Sequence, residues 1–368
     1  MGRKWNLDAI AAAFTNAAVD PTGWNSAMEV ACRETGSSGA ILFKVQGGEL
    51  PVFPQNERMF PATEAYVREG WIHHDERHKS LPKFIKPDVS VVTEFDYTTT
   101  EGIRKHPYYQ EFLSPFGLRW FAGVKIACRD DLWCLSMQNS IEQGPFSKPE
   151  LTLFEALSAR LSSVAALSRT LGFAKAEATM EAFQISGRAA VLIGPGGNVF
   201  LVNPAAEMLL GADLQIRNGK LISTDRLATA ALHRAVYELL WLQHASSPPI
   251  VLPRRRGRPI VAYPMALPSL ARDFLGPARA AVVLVDLASH VAATDAILRS
   301  VFGLTPAEAK LAKRIQSGES LESAADAMGI SYDTARNQLK SVFAKTETKR
   351  QGEFIALANR LATSFPPD

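Results

Sequence analysis

Hydrophobic and polar positions divide the chain into three blocks with different periods. Residues 1–172 combine the alternation typical of strands with the three-to-four-residue repeat typical of helices. Residues 180–290 carry mostly short strand patterns, and the segment that begins near Ala292 carries helix patterns only. We therefore predict a multidomain protein with an α/β domain over 1–172, an α+β domain over 180–290 and an all-α domain of four helices over 292–368.

In the first block the pattern predicts a strand at Ser38–Val45, then a hairpin of Leu118–Cys128 and Asp131–Gln138 that turns at Arg129-Asp130. A long helix follows over Pro149–Leu171. Its apolar stripe, interrupted by Ser168, consists of Phe154, Leu157, Leu161, Val164 and Leu171. Such a heptad stripe is suited to a partner helix. It equally suits a helix that covers the sheet of its own domain, and both interpretations stay open.

The second block begins with two strands, Ala189–Ile193 and Val199–Val202, joined by a glycine-rich turn. Asn203 and Pro204 then form a favourable start for a helix through Leu210. The last three predicted strands are Pro249–Leu252, Pro259–Ala266 and Ala280–Asp286. Two strands, helices and three strands is the order of a PAS domain, and the segment VLIGPGGNVFLVNPAAEMLLG resembles the opening of that family.

The third block is divided by cap and stop residues. Thr305, Pro306 and Glu308 together predict a capping box with proline at the first helical position. Gly318 and Gly329 end the first two helices. Ser320 and Ser331 cap the second and third helices, and a fourth runs from about Gln351 to Leu361.

The third of these helices is amphipathic in a way that favours DNA binding. Its apolar face consists of Ala335, Leu339, Val342 and Phe343, and its other face carries Arg336, Asn337, Lys340 and Lys345. Arg and Lys pair with guanine and Asn with adenine when a helix enters the major groove. Residues 331–350 hold five basic and two acidic side chains, a local net charge of +3 that suits contacts with phosphates.

The segment LTPAEAKLAKRIQSGESLESAADAMGISYDTARNQLKSVFAKTETKRQGEFIAL resembles the LuxR-type helix-turn-helix along its whole length. The residues at that family's motif positions are Glu308, Gly318, Ala325, Ile330, Ser331, Thr334 and Lys345. The resemblance implies that Arg336, Asn337 and Lys340 face the bases and that Thr334 and Lys345 lie near phosphates. It also implies that the fourth helix mediates dimerisation.

The chain departs from that motif at three positions of the third helix. Ala335, Arg336 and Gln338 stand where valine, lysine and histidine are common. These departures leave the operator sequence undefined. Lys349 and Arg350, just after the helix, complete the set of basic residues that we expect to contact DNA.

Composition narrows the class of protein. The net charge of +3 is too small to indicate nucleic-acid binding by itself, so the local charge of the third block carries that prediction. Cys32, Cys128 and Cys134 form no CxxC pair, which favours reduced thiols in a cytoplasmic protein over a disulfide framework or a zinc site. No signal-peptide pattern and no apolar run of about 18 residues is present, so we expect no membrane association.

The first block resembles a GAF-like or autoinducer-domain-like sensor. Its candidate ligand residues are Tyr66, Trp71, Asp75 and Trp120, in an order similar to that of acyl-homoserine-lactone receptors although the spacing differs. An aromatic cavity with one carboxylate would suit a small amide, lactone or aromatic ligand. The alternative is that these residues are core aromatics and a helix cap.

The sequence requires no metal or cofactor. His74 and His78 have the spacing of two ligands on one helix face, but no third ligand accompanies them or His73, which favours solvated side chains. His233 is the one helical candidate for an axial haem ligand in the second block, and a structural role is favoured. The basic run Pro253–Pro259 is most simply a solvated loop, with a phosphate or acidic-partner contact as the alternative.

These patterns predict a transcriptional regulator rather than an enzyme. Nucleophile elbows, phosphate-binding loops and paired catalytic carboxylates are missing from the sequence, as is the acidic pair of a receiver domain. We expect a dimer that binds double-stranded DNA under the control of a small-molecule effector or a partner, with RNA polymerase as a further candidate contact. The alternative is an interaction protein that dimerises through its PAS-like domain and binds no small molecule.

Overall fold

The N-terminal region is built around a four-stranded antiparallel sheet. A computed structural model of the chain describes residues 5–45, 53–129, 131–241, 246–267, 275–288 and 293–364, with side chains as far as residue 361. The strands of this sheet lie in the order β1-β4-β3-β2 and are β1 (Gly39–Lys44), β2 (Val91–Thr93), β3 (Leu118–Cys128) and β4 (Asp131–Ser140). The predicted strand and hairpin are confirmed, and β2 is an additional strand; Asp130 lies outside the described residues.

Helices cover both faces of this sheet. The helices before β3 are α1 (Leu7–Val19), α2 (Trp24–Thr35), α3 (Phe60–Arg68), α4 (Leu81–Phe84) and α5 (Thr100–Lys105), and a π-helical turn spans Tyr108–Leu113. Strand alternation sends Val124 and Ile126 of β3 into a core with α1 and α2, whereas Phe121 points to the opposite face. That opposite face lies under α3, α4 and the π-helical turn.

The long helix α6 extends from Lys148 to Ile185, so the prediction that it ends at Leu171 is wrong. A capping box between Ser147 and Glu150 starts it, and no proline or glycine pair interrupts it before Ser186. The stripe residues Phe154, Leu157, Leu161 and Val164 are buried in the core that α6 shares with the sheet. Of the two interpretations of the stripe, the structure supports the helix that covers its own domain.

The same helix reaches the second region. Ala176 and Met180 of α6 are buried together with Ala190 and Leu192, which belong to the first strand of the second sheet. Apolar residues of one continuous helix therefore take part in the cores of both regions. The predicted boundary between 172 and 180 falls within this helix.

The second region is a five-stranded antiparallel sheet with the order β6-β5-β11-β10-β9. Its strands are β5 (Ala189–Ile193), β6 (Val199–Val202), β9 (Ile250–Leu252), β10 (Ile260–Ala266) and β11 (Ala280–Asp286). The predicted strands are confirmed to within a residue. Asn203 caps α7, but this helix ends at Glu207 rather than Leu210.

Two elements of the second region were not predicted individually. A separate hairpin consists of β7 (Leu214–Arg217) and β8 (Lys220–Ser223), with Asn218 at positive φ in its turn. Helix α8 (Arg226–Trp241) packs Leu232 and Val236 against the sheet. The linear order of two strands, helices and three strands is present, with the hairpin inserted between the helices.

Within the described residues of the C-terminal region, all the regular elements are helices. Its helices are α9 (Asp295–Phe302), α10 (Pro306–Gln316), α11 (Leu321–Met328), α12 (Tyr332–Lys345) and α13 (Gln351–Ser364). The four predicted helices are present, but the prediction of only four is wrong, because α9 precedes them with Thr294 as its N-cap. Ala292, the predicted start of this region, lies outside the described residues. No described helix of the protein is both long and apolar enough to cross a bilayer.

Burial of the α6 stripe predicts that Leu161→Ala lowers the stability of the N-terminal region by about 2–5 kcal/mol, because the substitution leaves a cavity in a core where Leu161 is 1 % exposed. Leu167 lies on the same helix and is 43 % exposed. Leu167→Ala is therefore the matched control and should change the unfolding free energy by less than about 0.5 kcal/mol. Chemical denaturation with light scattering measures both. A Leu161→Ala protein of unchanged stability but altered association state would assign the stripe to a partner helix.

Candidate nucleic-acid interface and interior cavity

The C-terminal helices are positioned by the predicted caps. Thr305 and Glu308 form a complete capping box at the start of α10, with both reciprocal hydrogen bonds present. Ser320 accepts a hydrogen bond from the backbone N–H of Ser323, and Ser331 accepts one from that of Thr334. Gly329 ends α11 with φ of 64°, the left-handed conformation that glycine adopts without strain. The turn between α11 and α12 therefore follows directly from the sequence.

Helix α12 presents a basic outer face. Ala335, Leu339 and Val342 are buried in the helical core, and Arg336, Asn337 and Lys340 are exposed on the other side of the helix. None of these three polar side chains has a hydrogen-bond or ion-pair partner within the described part of the chain. An exposed face with unpaired donors near the N-terminal half of a helix is the arrangement that can enter the major groove.

The remaining predicted DNA residues differ in their surroundings. Thr334 is exposed and shares a 2.8 Å contact with the Ser331 hydroxyl, so it supports the cap of α12. Lys349 and Arg350 are exposed at the turn that follows α12. The Lys345 ammonium instead lies 2.7 Å from the carboxylate of Glu308 in α10, so a phosphate contact would share an ammonium already in an ion pair.

Glu308 connects α10 to α12 through a satisfied polar cluster. Besides Lys345, it accepts hydrogen bonds from the Ser341 hydroxyl and the Thr305 backbone N–H, each at 2.7 Å. Burial acts to raise the pKa of Glu308, but these donors more than offset it and lower the pKa to about 2. The carboxylate therefore remains charged and holds α12 against α10.

The N-terminal region contains a cavity of about 560 Å³ between its sheet and the layer of short helices. This volume is within the range of small-molecule sites. Most of the wall is aliphatic or aromatic: Ile41, Phe43, Phe53, Met59, Phe84, Phe112, Leu113 and Phe121. The polar side chains that line it include Thr63, Tyr66, Asp75, Arg77, His78, Ser136 and Gln138.

Two of the four predicted ligand residues line this cavity. The Tyr66 hydroxyl donates to the Asp75 carboxylate at 2.9 Å, and the same carboxylate caps a 3₁₀ turn through the backbone N–H of Arg77. Trp71 lies behind the wall and stacks on Phe112 with ring centroids 5.5 Å apart. Asp75 therefore combines the two roles that sequence left open, a cavity residue and a helix cap.

Trp120 is not among the cavity-lining residues. Its ring packs 6.0 Å from that of Phe95, and its Nε1 is buried without a hydrogen-bond partner in the described residues. Phe95 itself is 53 % exposed. Of the sequence-predicted set, the structure thus brings Tyr66 and Asp75 into the cavity, with Trp71 behind them.

The most unusual cavity residue is Arg77, which the sequence analysis missed. Its side chain is only 11 % exposed, and its guanidinium lies over the rings of Phe121 and Tyr108, at 4.8 and 5.6 Å from the ring centroids. One terminal nitrogen donates to Gln138 at 2.9 Å and lies 3.7 Å from Glu94. Arg77 belongs to the run DERHK, whose composition is typical of a solvated turn, so no local signal marks it as interior.

Glu94 is the second buried charge that the sequence analysis missed. It is 1 % exposed, and its Oε1 has no hydrogen-bond partner in the described residues. Desolvation raises the pKa of Glu94 to about 7, although Arg77 opposes that shift. Arg77 Nε is likewise buried without an acceptor, so the two charges face each other with unused hydrogen-bonding capacity.

The other candidate residues have structural surroundings. His73 and His78 are exposed residues at the edge of the cavity, and no metal-binding group of three side chains is found among the described residues. His233 Nε2 lies 2.9 Å from the Leu221 carbonyl, next to a smaller pocket of about 230 Å³. In the basic run, Arg254 pairs with Asp286 through two contacts, at 2.8 and 3.1 Å, whereas Arg256 is exposed.

Two solved structures of VqmA resemble this chain at 18 % identity. No family model and no curated protein matches the chain. Among solved structures, the phage VqmA–DPO complex is 18 % identical with a TM-score of 0.22, and the alignment covers 54 % of this chain and 94 % of that one. The Vibrio cholerae VqmA dimer, described as a LuxR-type receptor in the absence of target DNA, is 18 % identical with a TM-score of 0.20 over 48 % of this chain and 83 % of that one.

The ion pair between α10 and α12 predicts that Lys345→Met destabilises the C-terminal region by about 2 kcal/mol, since it leaves the buried Glu308 carboxylate without its cation. Lys349→Met, at an exposed site after α12, is the matched control and should have little effect. Hydrogen exchange of the α10 and α12 amides measures both. Equal exchange in the two variants would contradict this role of Lys345.

The raised pKa of Glu94 predicts that the N-terminal region loses stability as the pH rises. The folded state holds a proton that the unfolded state releases near pH 4.5, so the unfolding free energy falls between about pH 4.5 and pH 7, by up to about 3 kcal/mol. Thermal unfolding at pH 5 and pH 8 measures the change. Glu94→Gln should flatten this dependence, and a variant with the same pH slope as the original protein would contradict the assignment.

Proposed function

We propose that the protein is a dimeric, sequence-specific DNA-binding transcriptional regulator controlled by a small molecule. The observation that carries the proposal is the outer face of α12, on which Arg336, Asn337 and Lys340 are exposed and unpaired among the described residues. A long basic side chain and an amide at these positions can reach base edges when the helix occupies the major groove.

Phosphate contacts would position this helix on the duplex. Lys349 and Arg350 are exposed at the turn after α12, and Thr334 is exposed at its start. These positions flank the three base-facing residues at both ends of the helix. Contacts of this kind supply much of the affinity without reading the sequence.

Dimerisation follows in the proposal from the LuxR-type resemblance of α13. Phe354 and Ala358 of this helix are buried in the helical core, whereas Glu353 and Arg360 lie on its outer side. A two-fold dimer would bind two half-sites of a palindromic operator. The PAS-like second region is a further part of the proposal, supported by the linear order of its strands and helices.

The sensory role is assigned to the first region because its cavity is large, aromatic and lined by a few converging polar groups. A ligand acts on such a regulator only if it binds one arrangement of the dimer more tightly than the other. The cavity therefore supports control by a small molecule over the alternative of an interaction protein without a ligand.

The DNA-binding proposal predicts that the double variant Arg336→Ala/Lys340→Ala loses on the order of a hundredfold in affinity for a selected duplex, because two base-facing donors disappear. The duplex is obtained by selection with the full chain from a random pool at physiological salt. Arg255→Ala/Arg256→Ala, which removes two exposed charges from the basic loop of the second region, is the matched control and should retain binding.

Three outcomes have different meanings. Loss of affinity in the helix α12 variant alone supports the proposed reading helix. Unchanged, sequence-selective binding by that variant refutes it. Failure of the original chain to select any sequence from the pool refutes the regulator proposal itself.

A further inference from the structure

The guanidinium of Arg77 is a buried cation whose donors are only partly used. A guanidinium carries five N–H donors and stays protonated at any physiological pH. In the described residues its one side-chain hydrogen-bond acceptor is Gln138, and its Nε has none. Burial of a charge with unsatisfied donors is costly unless a partner of opposite charge completes the site.

The carboxylates already present do not complete it. Asp75 accepts hydrogen bonds from the Tyr66 hydroxyl and the Arg77 backbone N–H, and it forms no ion pair with the guanidinium. Glu94 lies 3.7 Å from a terminal nitrogen, beyond hydrogen-bond length, and its Oε1 has no partner. The nearest anion is therefore close enough to lower the cost of the buried charge but not to occupy its donors.

Two aromatic rings contact the guanidinium of Arg77 without accepting a hydrogen bond from it. The Cζ atom of Arg77 lies 4.8 Å from the centroid of the Phe121 ring and 5.6 Å from that of the Tyr108 ring. A cation–π contact uses none of the guanidinium N–H donors as a hydrogen bond, so these donors remain available to an acceptor. A carboxylate matches the guanidinium fork with two parallel, charge-assisted hydrogen bonds.

We propose that the N-terminal cavity binds a small organic acid whose carboxylate pairs with Arg77 and whose apolar body fills the aromatic part of the 560 Å³ space. The inference deepens the proposed sensory role, and it names the class of the effector. Phe43, Phe84 and Phe112 belong to the apolar part of the wall, which suits an aryl or short alkyl chain.

This class adds a negative charge to the small amide, lactone or aromatic ligand expected from sequence. That expectation rested on a lone carboxylate, Asp75, as the polar group of the cavity. The structure places a cation beside it and uses the oxygens of Asp75 for internal hydrogen bonds. The free capacity of the site is therefore for an acceptor with negative charge.

The proposal is tested with matched pairs of probes on the full chain: phenylacetate, indole-3-acetate and octanoate, each against its primary amide. The amide keeps the shape and the carbonyl of the acid but lacks its charge. Isothermal titration calorimetry should show saturable binding of at least one acid, at least tenfold tighter than its amide.

Substitution of the cation provides the second arm. Arg77→Met replaces the cationic side chain by an apolar one of similar length. It should abolish the preference for the acid over the amide. Lys79→Met removes a neighbouring charge that is 61 % exposed and pairs with Glu76 outside the cavity, so it should leave that preference unchanged. Arg77→Met/Glu94→Gln removes both buried charges together and serves as the test should the single variant fail to fold.

Each result is decisive. An acid preference that disappears with Arg77 and survives in Lys79→Met supports the proposal. Equal binding of acid and amide by the original chain would mean that the guanidinium reads a neutral carbonyl, which overturns it, as does the absence of binding by all three acids. The assay contains no DNA, so these outcomes are independent of whether the α12 face binds an operator.

Discussion

The continuous helix α6 is the element on which the arrangement of the upstream regions depends. Its first half buries Phe154, Leu157 and Leu161 in the core of the first sheet, and Ala176 and Met180 near its end pack with Ala190 of the second sheet. A helix of 38 residues spans nearly 60 Å at the rise of an α-helix, and this one continuous backbone takes part in both cores. Phe154, Leu157, Leu161 and Val164 of its apolar stripe are buried in the first core and are therefore not available to a partner helix.

The first sheet separates two environments by strand alternation alone. On one face, Val124 and Leu135 pack against α1 and α6. On the other, Phe121, Ser136 and Gln138 face a cavity that contains a buried cation. The face that packs against α1 and α6 is an apolar core that stabilises the fold. On the cavity face, the proximity of Arg77 and Glu94 lowers the cost of burying these two charges.

In the C-terminal region, α12 is packed against its neighbours on one face while its other face remains exposed to solvent. Small apolar residues and the satisfied cluster around Glu308 bind α12 from behind. Arg336, Asn337 and Lys340 on its exposed face have no hydrogen-bond or ion-pair partner in the described part of the chain. Two lysines of the same helix therefore have different surroundings: Lys345 pairs with Glu308, and Lys340, five positions earlier, is exposed and unpaired among the described residues.

Sequence alone determined the elements whose signals are local. Caps, glycine stops and strand alternation predicted β1, β3, β4 and the four helices that follow Thr305, because each depends on a few neighbouring residues. Tertiary structure decided what depends on distant neighbours: the direction of the α6 stripe, the engagement of Lys345, and the burial of Arg77 and Glu94. A charge in a polar run gives no sign of its burial, because burial is set by the sheet and helices that close over it.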